Sequence, residues 1–154
     1  MVGRELGPDL QSTILIVAMC NDGCSLYVAQ RIAAQPGDMS SLAVAIQAQA
    51  RVRLVRRVPA SAFFPRPKVD SAVLLLEPLA DTEKIITREQ LTQFVTLVQA
   101  GFKQPRKKLV NSLAEGLDAP KSEALERLKN ADIDPGKRPQ DLAVADWVRL
   151  YRSI

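Results

Sequence analysis

The residues best suited to chemistry lie in one stretch, Ala62-Phe63-Phe64-Pro65-Arg66-Pro67-Lys68-Val69-Asp70-Ser71. Two prolines one residue apart fix φ and remove two backbone donors. Each also biases the residue before it toward extended conformations. Phe64-Pro65-Arg66-Pro67 therefore reads as a stiff, extended loop that carries two aromatic rings and two cations, Arg66 and Lys68. A rigid aromatic edge beside positive charge suits an unstacked base and its phosphate. A proline-braced turn whose rings cap a core accounts for the same residues. A second basic run, Lys103-Gln104-Pro105-Arg106-Lys107-Lys108, packs four cations into six residues. It fits contact with phosphates and equally a solvated helix end. Arg51, Arg53, Arg56 and Arg57 repeat the signal more weakly.

Other chemistries are excluded by what the chain lacks. It has no histidine, which removes His-based acid–base catalysis, His metal sites and the Ser-His-Asp and Cys-His arrangements. Cys20 and Cys24 have no second pair beside them, so a metal site is not expected and free thiols in a reducing cytosol are. The seven glycines never approach a G-x-G-x-x-G spacing, so no cofactor-binding loop is expected in this chain. No self-contained catalytic constellation is left. The net charge of +4 is unevenly placed, with nineteen Lys/Arg against thirteen Asp/Glu after residue 50 and two against four before it. That distribution fits an anionic partner such as RNA, or a mildly basic solvated surface. The apolar run Ile14 to Met19 is too short to span a bilayer, so no membrane partner is expected and the location is read as cytoplasmic.

The loop needs elements to hold it. Ser12 to Met19 reads as a buried strand ended by Asn21-Asp22-Gly23. Leu26 to Ala34 fits a helix with Val28, Ile32 and Ala33 on one face, stopped by Pro36-Gly37. Asp38-Met39-Ser40-Ser41 offers caps for a second helix, Leu42 to Ala50, with Leu42, Ile46 and Gln49 at helical spacing. Arg51 to Val58 alternates at first, as a strand with a basic outer face does. Val69 to Glu77 is apolar at nearly every position, as a strand covered on both faces is. These two strands are expected to pair antiparallel with the loop at one end. After a linker at Pro78 to Lys84, four short helices are expected: one striped by Leu91, Phe94, Val95, Val98 and Phe102 behind a Thr87-x-x-Gln90 capping box, then Arg106–Leu113, Ser122–Asn130 and Val144–Arg152.

Several of these segments, taken in order, resemble one family. Val58 to Val73 is similar to the signature loop of the small-subunit ribosomal RNA adenine N6-dimethyltransferases (KsgA type). Val28 to Gly37 and Ser41 to Gln47 resemble the helices that precede it, and Gly101 to Leu113 resembles a basic segment that follows it. Ile133-Asp134-Pro135 with Arg138-Pro139 and Leu142 fits the family's closing motif. The resemblance covers roughly residues 27–154. Tyr27 stands where a charged residue usually precedes the helix.

The resemblance implies an α/β fold: the C-terminal part of a Rossmann-like methyltransferase sheet with an antiparallel hairpin, then a small all-helical subdomain. It divides the chain at 1–26 (unassigned), 27–80 (methyltransferase domain) and 81–154 (RNA-binding helices). It implies S-adenosylmethionine as the family's cofactor, small-subunit rRNA or the ribosomal subunit as partner, and dimethylation of two adjacent adenines as the family reaction. By position, Phe63 would stack the target adenine, Pro65 and Pro67 would keep the loop rigid, and Phe64 would pack. Arg66, Lys68, Lys103, Arg106, Lys107 and Lys108 would meet RNA. The family's Gly-rich cofactor loop and Asn-Leu-Pro-Tyr motif do not occur in residues 1–26. The chain alone is therefore expected to be inactive, a fragment awaiting an N-terminal half. The alternatives are a non-catalytic rRNA-binding module and a non-functional truncated product.

Overall fold

The computed structural model describes residues 14–18, 26–80 and 83–153. Cys20, Cys24 and the Asn21-Asp22-Gly23 turn lie outside the described residues. The elements run β1 (Ile14–Ala18), α1 (Leu26–Ile32), α2 (Ser41–Gln47), β2 (Ala50–Val58) and β3 (Ser71–Pro78). Then come α3 (Leu91–Gly101), α4 (Leu109–Gly116), α5 (Lys121–Asn130) and α6 (Val144–Arg152). The sheet order is β1-β3-β2, and both pairings are antiparallel. The expected hairpin is thus observed, with β3 central and the proline loop joining β2 to β3.

The central place of β3 explains its apolar run. Ala72, Leu74 and Leu76 are buried, and the first two form a small core with Ala29 and Ile32 of α1. Val73 and Leu75 are only partly covered, so the strand is sealed on one face rather than both. The strand begins at Ser71, two residues later than expected, because the preceding backbone is used elsewhere: the Asp70 carbonyl accepts the Leu26 N–H at 2.9 Å. β2 carries a bulge. Leu54 faces Leu74 and Arg56 faces Val73, leaving Val55 as the extra residue. The bulge keeps Arg51, Arg53 and Arg56 on one face of the sheet and turns Arg57 to the other, the face that carries Ala72.

Helix α2 starts at Ser41 because the Ser40 Oγ accepts the Ala43 N–H at 3.2 Å. It ends at Gln47, short of the expected Ala50, since Ala50 pairs with Pro78 in the sheet. Its inner face is also different. Ala43 and Val44 are buried while Leu42 is exposed, because α2 lies between α1, β2 and α3 and its small side chains allow the close approach. Gln47 Nε2 donates to the carbonyls of Ile32 and Ala34 at 2.8 and 2.9 Å, satisfying the end of α1.

The larger core unites residues of α2 with α3–α6. Phe94, Leu97, Val98, Leu109, Leu113, Leu128, Trp147 and Leu150 form its buried centre. The expected stripe on α3 is present, with Leu91, Val95 and Phe102 at its margin. Thr87 and Gln90 exchange their reciprocal hydrogen bonds, at 3.1 and 3.4 Å, in the turn just before α3. Helix α4 starts at Leu109 rather than Arg106. Pro105 has no N–H, and the Ser112 hydroxyl takes the Gln104 N–H at 2.8 Å, so Arg106–Lys108 stay in the turn ahead of the helix. Close packing of α3 on α4 requires a glycine at 116, where a Cβ would lie 2.3 Å from the Ala100 carbonyl oxygen.

Candidate nucleic-acid interface

Asp70 closes the proline loop. Its Oδ1 accepts the Ala60 N–H at 2.9 Å, and its Oδ2 accepts from Arg57 Nε at 2.9 Å and Nη2 at 2.5 Å. One carboxylate thus ties the first turn of the loop to its last residue and to the end of β2. The Ala60 N–H, then Arg57, hold the Asp70 carboxyl below its ordinary value of 3.8. No spacing marks this role, since a single Asp after a proline loop has no distinctive pattern.

A carboxyl depressed in the folded state contributes stability that is complete above its unfolded value and is lost as pH falls below it. In thermal melts from about pH 5 downward, the wild-type chain is therefore expected to lose more stability than Asp70→Asn, with the difference opening below about pH 4. Parallel acid limbs would remove Asp70 as the loop's closure.

The ordering of the loop leaves the two phenylalanines in opposite states. Phe63 is partly buried, its N–H held by the Ala60 carbonyl at 3.3 Å. Phe64 is fully exposed, which corrects its expected role as packing: the extended backbone that seats one ring turns the next outward. The Phe64-Pro65 peptide is cis. Pro67 is partly buried and Pro65 exposed. Arg66 and Lys68 are exposed and make no ion pair among the described residues.

The second basic run is split. Lys103 is engaged within the chain, with Nζ 3.2 Å from the Glu115 carbonyl oxygen and 3.9 Å from its carboxylate, which Gln104 also contacts. Arg106, Lys107 and Lys108 are exposed in the turn before α4 and have no acidic partner among the described residues. On the sheet, Arg51 pairs with Glu83 at 2.5 Å, whereas Arg53 and Arg56 make no ion pair among the described residues.

Three clefts lead from the proline loop to Pro105, the residue before Arg106. The first, about 480 Å³, is lined by Tyr27, Gln30, Arg57, Arg66, Lys68 and Asp70, among others. The second, about 470 Å³, shares Tyr27 and Gln30 with it and continues to Arg31, Gln35 and Asp38. The third, about 290 Å³, shares Arg31 and Asp38 and ends at Phe102 and Pro105. Together they form a trough along the exposed side of α1, with Arg66 and Lys68 at one end and the turn carrying Arg106–Lys108 at the other. Periodicity marks only the buried face of α1, so its part as the floor of this trough was not legible.

A family model described as ribosomal RNA adenine dimethylase matches residues 24–154. The chain belongs to that family. Curated relatives named ribosomal RNA small subunit methyltransferase A are 41% identical over 130 residues in Lactobacillus delbrueckii subsp. bulgaricus and 37% over 123 residues in Dehalococcoides mccartyi. The matches cover 82% and 80% of this chain but 42% of each relative, so the chain spans less than half the length of these dimethylase relatives. Its fold is that of solved rRNA methyltransferases. The 23S rRNA methyltransferase ErmE aligns with a TM-score of 0.61 and 23% identity, over 92% of this chain and 54% of that one. A dimethyladenosine transferase from Plasmodium falciparum aligns at 0.65 and 24%, over 80% and 52%. The expected α/β class, part of a Rossmann-like sheet with an antiparallel hairpin, is therefore the fold of the dimethylase family. No helix of the described residues is long and apolar enough to cross a membrane.

Proposed function

We propose that this chain is the target-loop and RNA-holding portion of a small-subunit rRNA adenine N6-dimethyltransferase. Residues 27–80 present the loop, and residues 81–154 supply the helical support for the RNA. Phe63 stacks the target adenine from a partly buried seat, with Pro65 and Pro67 limiting the loop's freedom. Arg66, Lys68, Arg106, Lys107 and Lys108 meet phosphates, and Lys103 joins them where RNA displaces its bond to Glu115. Adenosylmethionine supplies the methyl groups in this family, but the described residues hold no Gly-rich turn to fit it. The work assigned to this chain is accordingly to hold and orient RNA.

The observation that carries this reading is the exposure of two cation groups with no ion pair among the described residues, Arg66 and Lys68 lining the first cleft and Arg106–Lys108 following Pro105 at the end of the third. Five exposed cations contacting a single strand predict a log-log salt slope of about −3.5. A filter-binding titration of the chain against an rRNA hairpin with two adjacent loop adenines, from 50 mM salt upward, measures it. A flat response would reduce the basic runs to solvated surface. A second reading is RNA binding without catalysis. Methyl transfer to the hairpin by this chain alone would end that second reading.

A further inference from the structure

We infer that Tyr27 is a stacking station for an unpaired nucleotide next to the target base, with Arg31 bracing its ring. The inference rests on the RNA-holding reading above and adds a base contact to it. Tyr27 is 61% exposed although it is a large aromatic on a helix that packs against the sheet. It lines both the first and second clefts, so its ring stands where the trough leaves the proline loop and begins to run along α1. The Arg31 guanidinium carbon lies 5.7 Å from the ring centroid, and its Nη1 donates to the Tyr27 hydroxyl at 3.4 Å. That contact occupies one face of the ring and leaves the other to a ligand.

The surroundings select the ligand. Arg66 and Lys68 line the same cleft and make no ion pair among the described residues, whereas Arg57 is bound directly by Asp70, whose charge Arg66 senses only at a distance. Gln30 lies one turn along α1 and lines both clefts, offering an amide donor and acceptor to a base edge. An aromatic face, free cations and one amide match a nucleotide: base on Tyr27, phosphate on Arg66 or Lys68, base edge toward Gln30. A protein partner would need acidic side chains placed to match these cations. An RNA strand supplies a counterpart at every residue.

The test uses the full chain and the hairpin described above, with 2-aminopurine beside the two adenines. Quenching of the 2-aminopurine reports stacking, and titration gives Kd and the salt slope. Tyr27→Ala is expected to weaken binding about 5- to 150-fold and to abolish the quenching with the salt slope unchanged, because a stacked base is lost and no phosphate contact is. Tyr27→Phe is expected to keep both the quenching and most of the affinity, which shows that the ring is what matters. If Tyr27→Ala binds and quenches like the wild type while wild-type binding stays steep in salt, the stacking station is overturned and the RNA-holding reading survives. If the wild-type chain shows no salt-dependent binding, both fail together.

Discussion

Trp147→Ala is expected to cost the chain about 3–5 kcal/mol, the largest stability loss among single substitutions in the helical half. The indole is fully buried at the centre of the larger core, the biggest of its sealed side chains. It stacks on Phe102 with centroids 5.4 Å apart and planes 23° apart. It also fills the space over Gly101, where a Cβ would lie 2.3 Å from the ring. Truncation therefore removes contacts between α6 and the end of α3, and neighbours fixed by helix geometry close such a void only partly. Since a domain of this kind is held by only about 5–15 kcal/mol in total, urea unfolding should show a large drop in midpoint with little change in slope. A loss below about 1 kcal/mol would mean that the core can collapse around the gap. The indole nitrogen has no hydrogen-bond partner among the described residues, so removing it breaks no polar contact and the measured loss is that of packing less the cost of burying that N–H. Because Phe102 also lines the third cleft, the same variant tests whether the helical core sets the shape of the trough.

How far such features could be read from the chain alone differs by element. Leu109, Val110 and Leu113 on α4, and Trp147 and Val148 on α6, are buried as their spacing predicts, because each helix buries a single stripe in a single core. Helix α2 breaks that rule because it packs on several sides. Its contacts fall on Ala43 and Val44, and a pattern weighted toward the largest side chain selects Leu42 instead. The bulge at Val55 has no sequence marker, yet it decides which cations share a face. The proline loop was legible as rigid and charged. Its closure by Asp70, and the choice of Phe63 rather than Phe64 as the seated ring, depend on where the two strand ends meet. Likewise, Arg66–Lys68 and Arg106–Lys108 were recognisable as two separate basic runs. Only the path of α1 between them makes one trough, and a path through space is not written in local spacing.

That trough leads to the largest expected effect on binding. Arg106→Gln, Lys107→Gln and Lys108→Gln together should lower the salt slope by about 2, and adding Arg66→Gln and Lys68→Gln should lower it by about 3.5. At physiological salt each lost phosphate contact removes about 0.6 of a decade of affinity, so the five-fold variant should bind RNA roughly a thousand-fold more weakly. The five side chains are exposed and make no ion pair among the described residues, so folding should be little affected, and a melt within about 1 kcal/mol of the wild type checks this. The decisive comparison is a second triple variant, Arg88→Gln, Lys121→Gln and Lys129→Gln, which removes equal charge from exposed positions outside both basic runs. General attraction between a protein of net charge +4 and a polyanion would weaken equally in both triples. Binding along the trough would be lost in the first and largely kept in the second. Equal losses would mean that RNA senses only the net charge, and the alignment of the basic runs along α1 would then have no part in holding it.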